Sequence, residues 1–378
     1  MLAGAEFDSR KIKPGMLFIA LKGEKADGHD FIPQALKNGA SGIIDGYDEL
    51  DRIARERRRS LKAKVVAVTG SAGKTTTKEL LKTFLSCVGK TYATGGNFNN
   101  HIGLPYTILN CPEDADFLVL EMGTNHPGEI EHLCSIAEPD SGVITNIGSA
   151  HIEFFGSREG IAREKGRLLA NVKDFGVVSN SCFALDILKD LALDRKLYLV
   201  APDIPQITEA MIEVLPGKHN ISNASLAFEL ASHYGLKMDQ AIRALADFSL
   251  PGARWRRSEK DGVKYIDDTY NANPESMIAA LDAFVTVKCT SRHIAILGDM
   301  FELGDRTLEY HREVFDHAHQ LNIDLIVAVG KTSANCKASM YIKDAGELKE
   351  KMPKIVQNGD LVLLKASNGM KLGEALNW

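Results

Sequence analysis

From about residue 62 the chain alternates short β-branched apolar runs with longer segments whose apolar residues recur at helical spacing, and this alternation restricts its fold more than any other feature. "KVVAVTG", "DFLVLEMG", "SGVITNIG", "FGVVSN" and "KLYLVA" read as strands closed by glycine or polar residues. "KTTTKELLKTFLSCVG", "PGEIEHLCSIA" and "SREGIAREKGRLLANV" read as the helices between them. Such units need right-handed crossovers, so they build a parallel sheet with helices on both faces and ligands at the carboxyl ends of the strands. Two further helices, "ISNASLAFELASHYG" and "KMDQAIRALADFS", lead to a break at "LPGARW". The alternation then restarts with "VKYIDDTYN", "PESMIAALDAFVTV", "HIAILGDM", "LEYHREVFDHAHQLN", "DLIVAVG", "DAGELKEKM" and "DLVLLKAS". Ahead of both series, "GMLFIAL" and "GIIDGY" flank "DFIPQALKNGA". At 378 residues two or three domains are expected. The α/β pattern predicts three: a small α/β N-terminal module over 1–61, a central parallel-sheet domain over 62–249 and a Rossmann-like C-terminal domain over 250–378.

The first crossover carries a phosphate-loop pattern. "VVAV" runs into "TGSAGKTTT" and directly into a helix, so backbone N–H groups at a helix N-terminus form an anion cradle. The usual G-x-x-x-x-G-K-[ST] has one glycine more, at the place where Val68 stands. Gly70, Ser71, Ala72, Gly73, Lys74, Thr75 and Thr76 are the candidate ATP contacts, with Lys74 for the β- and γ-phosphates and the Thr75 hydroxyl for Mg²⁺. A glycine turn with a helix cap is the plain alternative. Glu121 and His151 end the next two strands and reach the same rim, where either is a Mg²⁺ ligand or an ordinary loop residue. On pattern alone Lys165 is a surface lysine of a charged helix.

Composition excludes other classes. A net charge of -5 offers no basic face for nucleic acid, and "RIARERRRSLKAK" (52 to 64) reads as a solvated helix and linker. The six cysteines, Cys87, Cys111, Cys134, Cys182, Cys289 and Cys336, are scattered without a C-x-x-C pair, which suits free thiols in a reducing compartment. "MLAGAEFDSRK" reaches charge too soon for a signal peptide and no apolar run approaches about eighteen residues. A cytoplasmic monomer with no membrane or nucleic-acid partner is expected.

Together the motifs resemble the Mur ligase family, most closely its MurF type. "TGSAGKTTTKE" looks like the family's ATP loop, which lacks the first glycine; "GNFNNHIGLP", "EMGTNHPGEI", "NIGSAHIEFFGS", "PGKHNISNASLA", "DDTYNANPESM" and "LGDMFELG" follow in family order. The resemblance implies ATP-dependent amide-bond formation, in which a carboxylate of UDP-MurNAc-tripeptide becomes an acyl phosphate and the amine of D-Ala-D-Ala attacks it. By resemblance His151 holds a second Mg²⁺, and Lys165 is the lysine that the family carries as a carbamate ligand of that ion. Here Arg167 stands where the family's K-G-E has glutamate. Asn220 and Asn223 would face the adenine, Asp268 the ribose, and Arg254 the γ-phosphate, with Arg256 and Arg257 leaving its register open. Tyr270, Asn271 and Asn273 fall to the nucleotide or the incoming amine, Asp299 and Glu302 to the dipeptide, and Asn99 and Asn100 to the substrate. Ser9, Arg10, Asp27, Gly28 and His29 would hold the uridine diphosphate, although "DSR" and "DGHDF" also read simply as turns. A buried Asp267-Asp268 pair would be costly without partners, so at least one of the two is expected to have a ligand or metal nearby. The chain is short for the type, before "DSR" and between "VVSNSC" and "PGKHN", which could shift acceptor choice. Two alternatives stay open: a Mur-like ligase for another amine, and a nucleotide-dependent regulatory protein descended from one.

Overall fold

The computed structural model describes residues 3–23, 26–148 and 152–377. The chain forms two compact units, Met1–Thr208 with Ser222–Ala246, and Glu209–Ile221 with Asp247–Trp378.

The first unit holds two parallel sheets. The smaller has the order β1-β2-β3, from β1 (Ala5–Glu6), β2 (Leu17–Ala20) and β3 (Gly42–Asp45). The larger is built from β4 (Lys64–Thr69), β5 (Thr91–Ala93), β6 (Phe117–Glu121), β7 (Ser141–Ile144), β8 (Phe175–Ser179) and β9 (Lys196–Val200), in the order β5-β6-β4-β7-β8-β9. Every pair in it is parallel, as the alternation requires. β4, β6 and β7 are buried along their length except at Lys64. Helices cover both faces of such strands, which is why they read as continuous apolar runs. The chain leaves β4 towards β6 on one side and later returns to β7 on the other. The order thus reverses at β4, and the crevice beyond its carboxyl end is where an open α/β sheet binds ligands.

The basic stretch expected as a solvated helix and linker is helical as far as Ser60, in the helix Gly46–Ser60, but that helix is docked and not solvated all round. Arg58 is buried, with Nε donating to Ala137 O at 2.7 Å and Nη2 donating to Glu138 O and Asp140 Oδ2, both at 3.0 Å. The helix Glu129–Ala137 ends there, with Glu138 left-handed at φ 42°, and its last carbonyls lack intrahelical partners. An arginine from a neighbouring helix satisfies them.

In the second unit β10 (Arg256–Lys260), β11 (Val263–Asp267), β12 (His293–Gly298), β13 (Leu325–Val329), β14 (Met340–Ile342) and β15 (Leu361–Lys365) take the order β10-β11-β15-β12-β13-β14. Only β10 is antiparallel to its neighbour. "RRSEK" is exposed at every position, so it has no apolar alternation by which to be read as a strand. The six cysteines are free thiols, and burial pushes Cys111 up to about 11, outside the reactive range. Among the described residues no helix is long and apolar enough to cross a membrane.

Candidate nucleotide and metal site

The loop after β4 is shaped by two glycines and braced from β7. A Cβ on Gly70 would lie 1.8 Å from Thr145 Oγ1. Gly73 has φ 78°, and a Cβ on it would lie 2.6 Å from the Asn223 amide oxygen. Side chains are excluded at both positions, by contact and by the left-handed backbone at Gly73. Ser71 N donates to Asn146 O at 3.1 Å and Ala72 N to Asn146 Oδ1 at 2.9 Å, while Ser71 Oγ accepts from Gly148 N at 2.9 Å. Thr145 and Asn146 thus position the loop. The only sign of this in the sequence was two polar residues at the end of an apolar run. Val68, where the extra glycine was looked for, is fully buried inside β4 between Glu121 and Val143. The tight turn starts two residues later, so a β-branched residue suits that place.

Helix Lys74–Leu85 begins directly at Gly73. Lys74 Nζ donates to Gly70 O at 2.8 Å, which folds its amine back over the loop. Desolvation lowers the Lys74 pKa and the Glu121 charge opposes it. Glu121 ends β6 and is 2 % exposed. Its Oε1 accepts from Thr75 Oγ1 at 3.3 Å and from Asn99 Nδ2 at 2.9 Å, while Oε2 is buried without a hydrogen-bond partner. A buried, unsatisfied carboxylate oxygen is costly unless a cation sits beside it. A carboxylate oxygen with a hydroxyl at hand is a donor set that fits Mg²⁺, which takes few protein ligands and keeps its waters. Thr76 is buried in the first helical turn. Asn100 Oδ1 accepts from Ile102 N and Gly103 N and turns the chain into the helix Gly103–Leu109. His151 lies outside the described residues.

Lys165 is not the surface residue that pattern alone indicated: it is 1 % exposed. Burial drives its pKa well down, the Lys74 charge adds to this, and Glu164 opposes it. Glu164 itself is spent on the start of the helix Glu129–Ala137, accepting from Ile130 N at 2.9 Å and Gly128 N at 2.8 Å. Arg167 is exposed, so the departure from K-G-E lies on the solvent side of the helix.

In the N-terminal module Ser9 is buried and donates to Gln34 Oε1 at 3.2 Å. Arg10 forks onto Asp8 and holds its carboxyl at about 2. Gly28 is needed for close approach, since a Cβ would meet Leu21 N and O at 2.7 Å. Asp27 accepts from His29 N and pairs with His29 Nδ1, while Asp45 Oδ1 lies 2.9 Å from His29 Nε2. The Asp45 hydrogen bond, followed by that of Asp27, raises the His29 pKa above its ordinary 6.5. The stabilisation is complete below 6.5 and is lost as pH rises through the higher folded value. The His29 Cε1–H resonance should therefore titrate above 6.5, with Asp45→Asn moving the midpoint down; a midpoint at or below 6.5 in the native chain would contradict this pairing.

In the second unit the Arg254 guanidinium lies 3.4 Å from the Tyr270 ring centroid. Arg256 pairs with Asp267 Oδ2 at 2.8 Å, and Arg257 sits opposite Ile266 on β10. Each of the adjacent acids has partners within the protein: Asp267 is met by Arg256 and Thr269, and Asp268 by Lys365 Nζ at 2.6 Å and Trp255 N at 3.2 Å. Asn220 Nδ2 donates to Pro216 O at 2.9 Å. Asn223, in the first unit, packs on Gly73. Asn271 Oδ1 accepts from Ala272 N, and Asn273 caps the helix Pro274–Phe284 in a reciprocal box with Ser276. The Asp299 carboxylate is filled by Ser333 N, Ser333 Oγ and Thr332 N. Glu302 is exposed with φ 62°. Lys365 was missed entirely, because its partner is 97 residues away and "LVLLKAS" looks only like a strand end.

Models of the Mur ligase family match the chain throughout: the catalytic domain over residues 2–82, the middle domain over 68–201 and the glutamate ligase domain over 253–368. The UDP-N-acetylmuramoyl-tripeptide–D-alanyl-D-alanine ligase of Bacillus subtilis is 34% identical over 99% of this chain and 92% of its own length. The Escherichia coli ligase of the same name is 33% identical over 86% and 81%. Among solved structures, MurF from Acinetobacter baumannii superposes with TM-score 0.86 at 28% identity, covering all of this chain and 93% of that one. MurF from Thermotoga maritima in complex with ADP gives 0.85 at 29%, covering 100% and 96%. With a complete phosphate loop, an unsatisfied carboxylate beside it and relatives of this identity over nearly full length, the chain belongs to the MurF type of the Mur ligase family.

Proposed function

We propose that this protein joins D-Ala-D-Ala to UDP-MurNAc-tripeptide at the expense of ATP. The observation that carries the reading is the orphaned Glu121 Oε2 beside Thr75 and Lys74, since it marks a place for a cation against polyphosphate; the names of the relatives supply the substrates. A substrate carboxylate oxygen attacks the γ-phosphorus, the bond to ADP breaks, and an acyl phosphate forms. The dipeptide amine then attacks the acyl carbon, loses a proton and expels phosphate. Carboxylate and γ-phosphate are both anions, so the barrier is lowered by positive groups aimed at their oxygens. Lys74 supplies one such charge, and the N–H groups at the helix start, from Gly73 to Thr76, orient the phosphates, while those of Ser71 and Ala72 are held by Asn146. Mg²⁺ held by Thr75 and Glu121 would neutralise phosphate charge. Arg254 is assigned the γ-phosphate, Asp268 the ribose, Asn220 and Asn223 the adenine side, and Tyr270 with Asn271 the incoming amine. Asn273 and Asp299 act by shaping their loops, and Glu302 is the exposed candidate for the dipeptide. Asn99 steadies Glu121 and Asn100 its loop. Ser9, Arg10, Asp27, Gly28 and His29 are assigned the uridine diphosphate. We divide this work among residues 1–61, 62–249 and 250–378, in a monomeric cytoplasmic enzyme.

Lys165 is proposed to work as a carbamate that, with His151, holds a second Mg²⁺. The neutral amine adds CO2 and releases a proton, and burial favours that neutral amine. With 13C-bicarbonate the native protein should show a carbamate carbonyl resonance that Lys165→Ala lacks, and the variant should lose about 10²-fold in kcat. Full activity in Lys165→Ala would end this assignment. For the reaction itself, the assay combines ATP, Mg²⁺, UDP-MurNAc-tripeptide and D-Ala-D-Ala, and measures phosphate together with the coupled product by mass spectrometry. Absence of both acceptor-dependent phosphate and product would overturn the reading.

A further inference from the structure

We propose that Lys365 is a positioning residue for this ligase: one buried ammonium that clamps the two loops carrying Arg254, Asp268 and Tyr270. The inference rests on the functional reading above.

Lys365 ends β15 and is 3 % exposed. Its Nζ lies 2.6 Å from Asp268 Oδ2, 3.2 Å from Asn271 O and 3.5 Å from Asp268 O. All three acceptors belong to the segment that follows β11. The other carboxylate oxygen of Asp268 accepts from Trp255 N at 3.2 Å, one residue beyond Arg254. Tyr270 N donates to Ala253 O at 2.9 Å, and the Tyr270 ring lies under the Arg254 guanidinium. Two segments, 253–255 and 268–271, are therefore tied to each other, and the tie is anchored to the sheet through one amine. Trp255 is held at φ 52°, a conformation costly for a bulky residue unless its surroundings enforce it. Asp267 has its own partners in Arg256 and Thr269, whereas the cation paired with Asp268 is Lys365. Loss of the ammonium should free Asp268, release Trp255 N and let Arg254 leave Tyr270. Lys365 is assigned no contact with substrate, so it acts through these residues.

The test uses the full chain with Trp378→Phe, which leaves Trp255 as the single tryptophan of the two. Lys365→Met, Arg254→Ala, the double variant and Lys365→Arg are compared for kcat, KM for ATP and Trp255 emission. Lys365→Met should lose about 10²-fold in kcat, the scale of a misplaced catalytic group. In the double variant the loss should fall well short of the product of the two single losses, because both changes remove the same positioned arginine. Trp255 emission should shift to the red in Lys365→Met, and Lys365→Arg should recover most of both signals. Multiplying losses, native kcat in Lys365→Met, or an unchanged Trp255 spectrum would each overturn the clamp. If Lys365→Met does not fold, Lys365→Gln with Asp268→Asn removes both charges together, and the Trp255 spectrum and its non-additivity with Arg254→Ala decide in the same way. A native chain with no acceptor-dependent phosphate release would count against the functional reading instead, while the Trp255 spectra would still test the clamp.

Discussion

Lys74→Ala should reduce acceptor-dependent phosphate release by about 10³-fold or more, the scale on which preorganised charge acts in phosphoryl transfer. The loss should appear in kcat more than in KM for ATP. The N–H groups at the helix start and the Mg²⁺ proposed at Thr75 and Glu121 would remain to hold the phosphates, whereas the charge that builds up as carboxylate meets γ-phosphate would lose one of its cations. Glu121→Gln provides the companion measurement. It keeps the shape and an oxygen for Thr75, but removes the anionic Oε2 that now lies buried without a partner. Its activity should fall and be partly restored by raised Mg²⁺. Steady-state kinetics against Mg²⁺ concentration checks both variants, and Mg²⁺-independent kinetics in Glu121→Gln would remove Glu121 from the metal.

Asp140→Ala should destabilise the first unit by about 3–5 kcal/mol, the cost of leaving a buried charge uncompensated. Asp140 Oδ2 accepts from both Arg58 Nη2 at 3.0 Å and Val65 N at 2.8 Å. Its removal strands a guanidinium whose side chain is 7 % exposed and a backbone N–H at the start of β4. The exposed Arg52–Glu56 pair is the control: Glu56→Ala should change stability by less than about 1 kcal/mol, as surface pairs do. Urea unfolding of both variants checks this, and equal effects would mean that the Arg58–Asp140 contact carries no special weight.

The helix Gly46–Ser60 shows why the sequence was misread there. Its run of arginines from Arg55 to Arg59 outweighed the apolar Leu50, Ile53 and Ala54 that pack on the core, so pattern reasoning assigned it to solvent. The carbonyls that bury Arg58 belong to residues 79 and 80 positions further along the chain. Lys165 was misjudged on pattern for the same reason, and only the family resemblance pointed to it. The phosphate loop was legible because its ingredients are contiguous: a strand, two glycines that tolerate no Cβ, then Lys74 and Thr75 at a helix start. Even the absence of glycine at Val68 has a local explanation, since that residue lies inside β4.

Periodicity by itself thus determined the parallel α/β architecture, because burial on both faces of a strand is written in consecutive residues. Loop chemistry by itself determined the phosphate site. Only the tertiary structure decided which polar groups are buried and what satisfies them: Asn146 bracing the loop, Glu121 left with one open oxygen, Asp268 held by Lys365. Burial is a property of neighbours, and in a crossover fold the neighbours that matter arrive from distant strands.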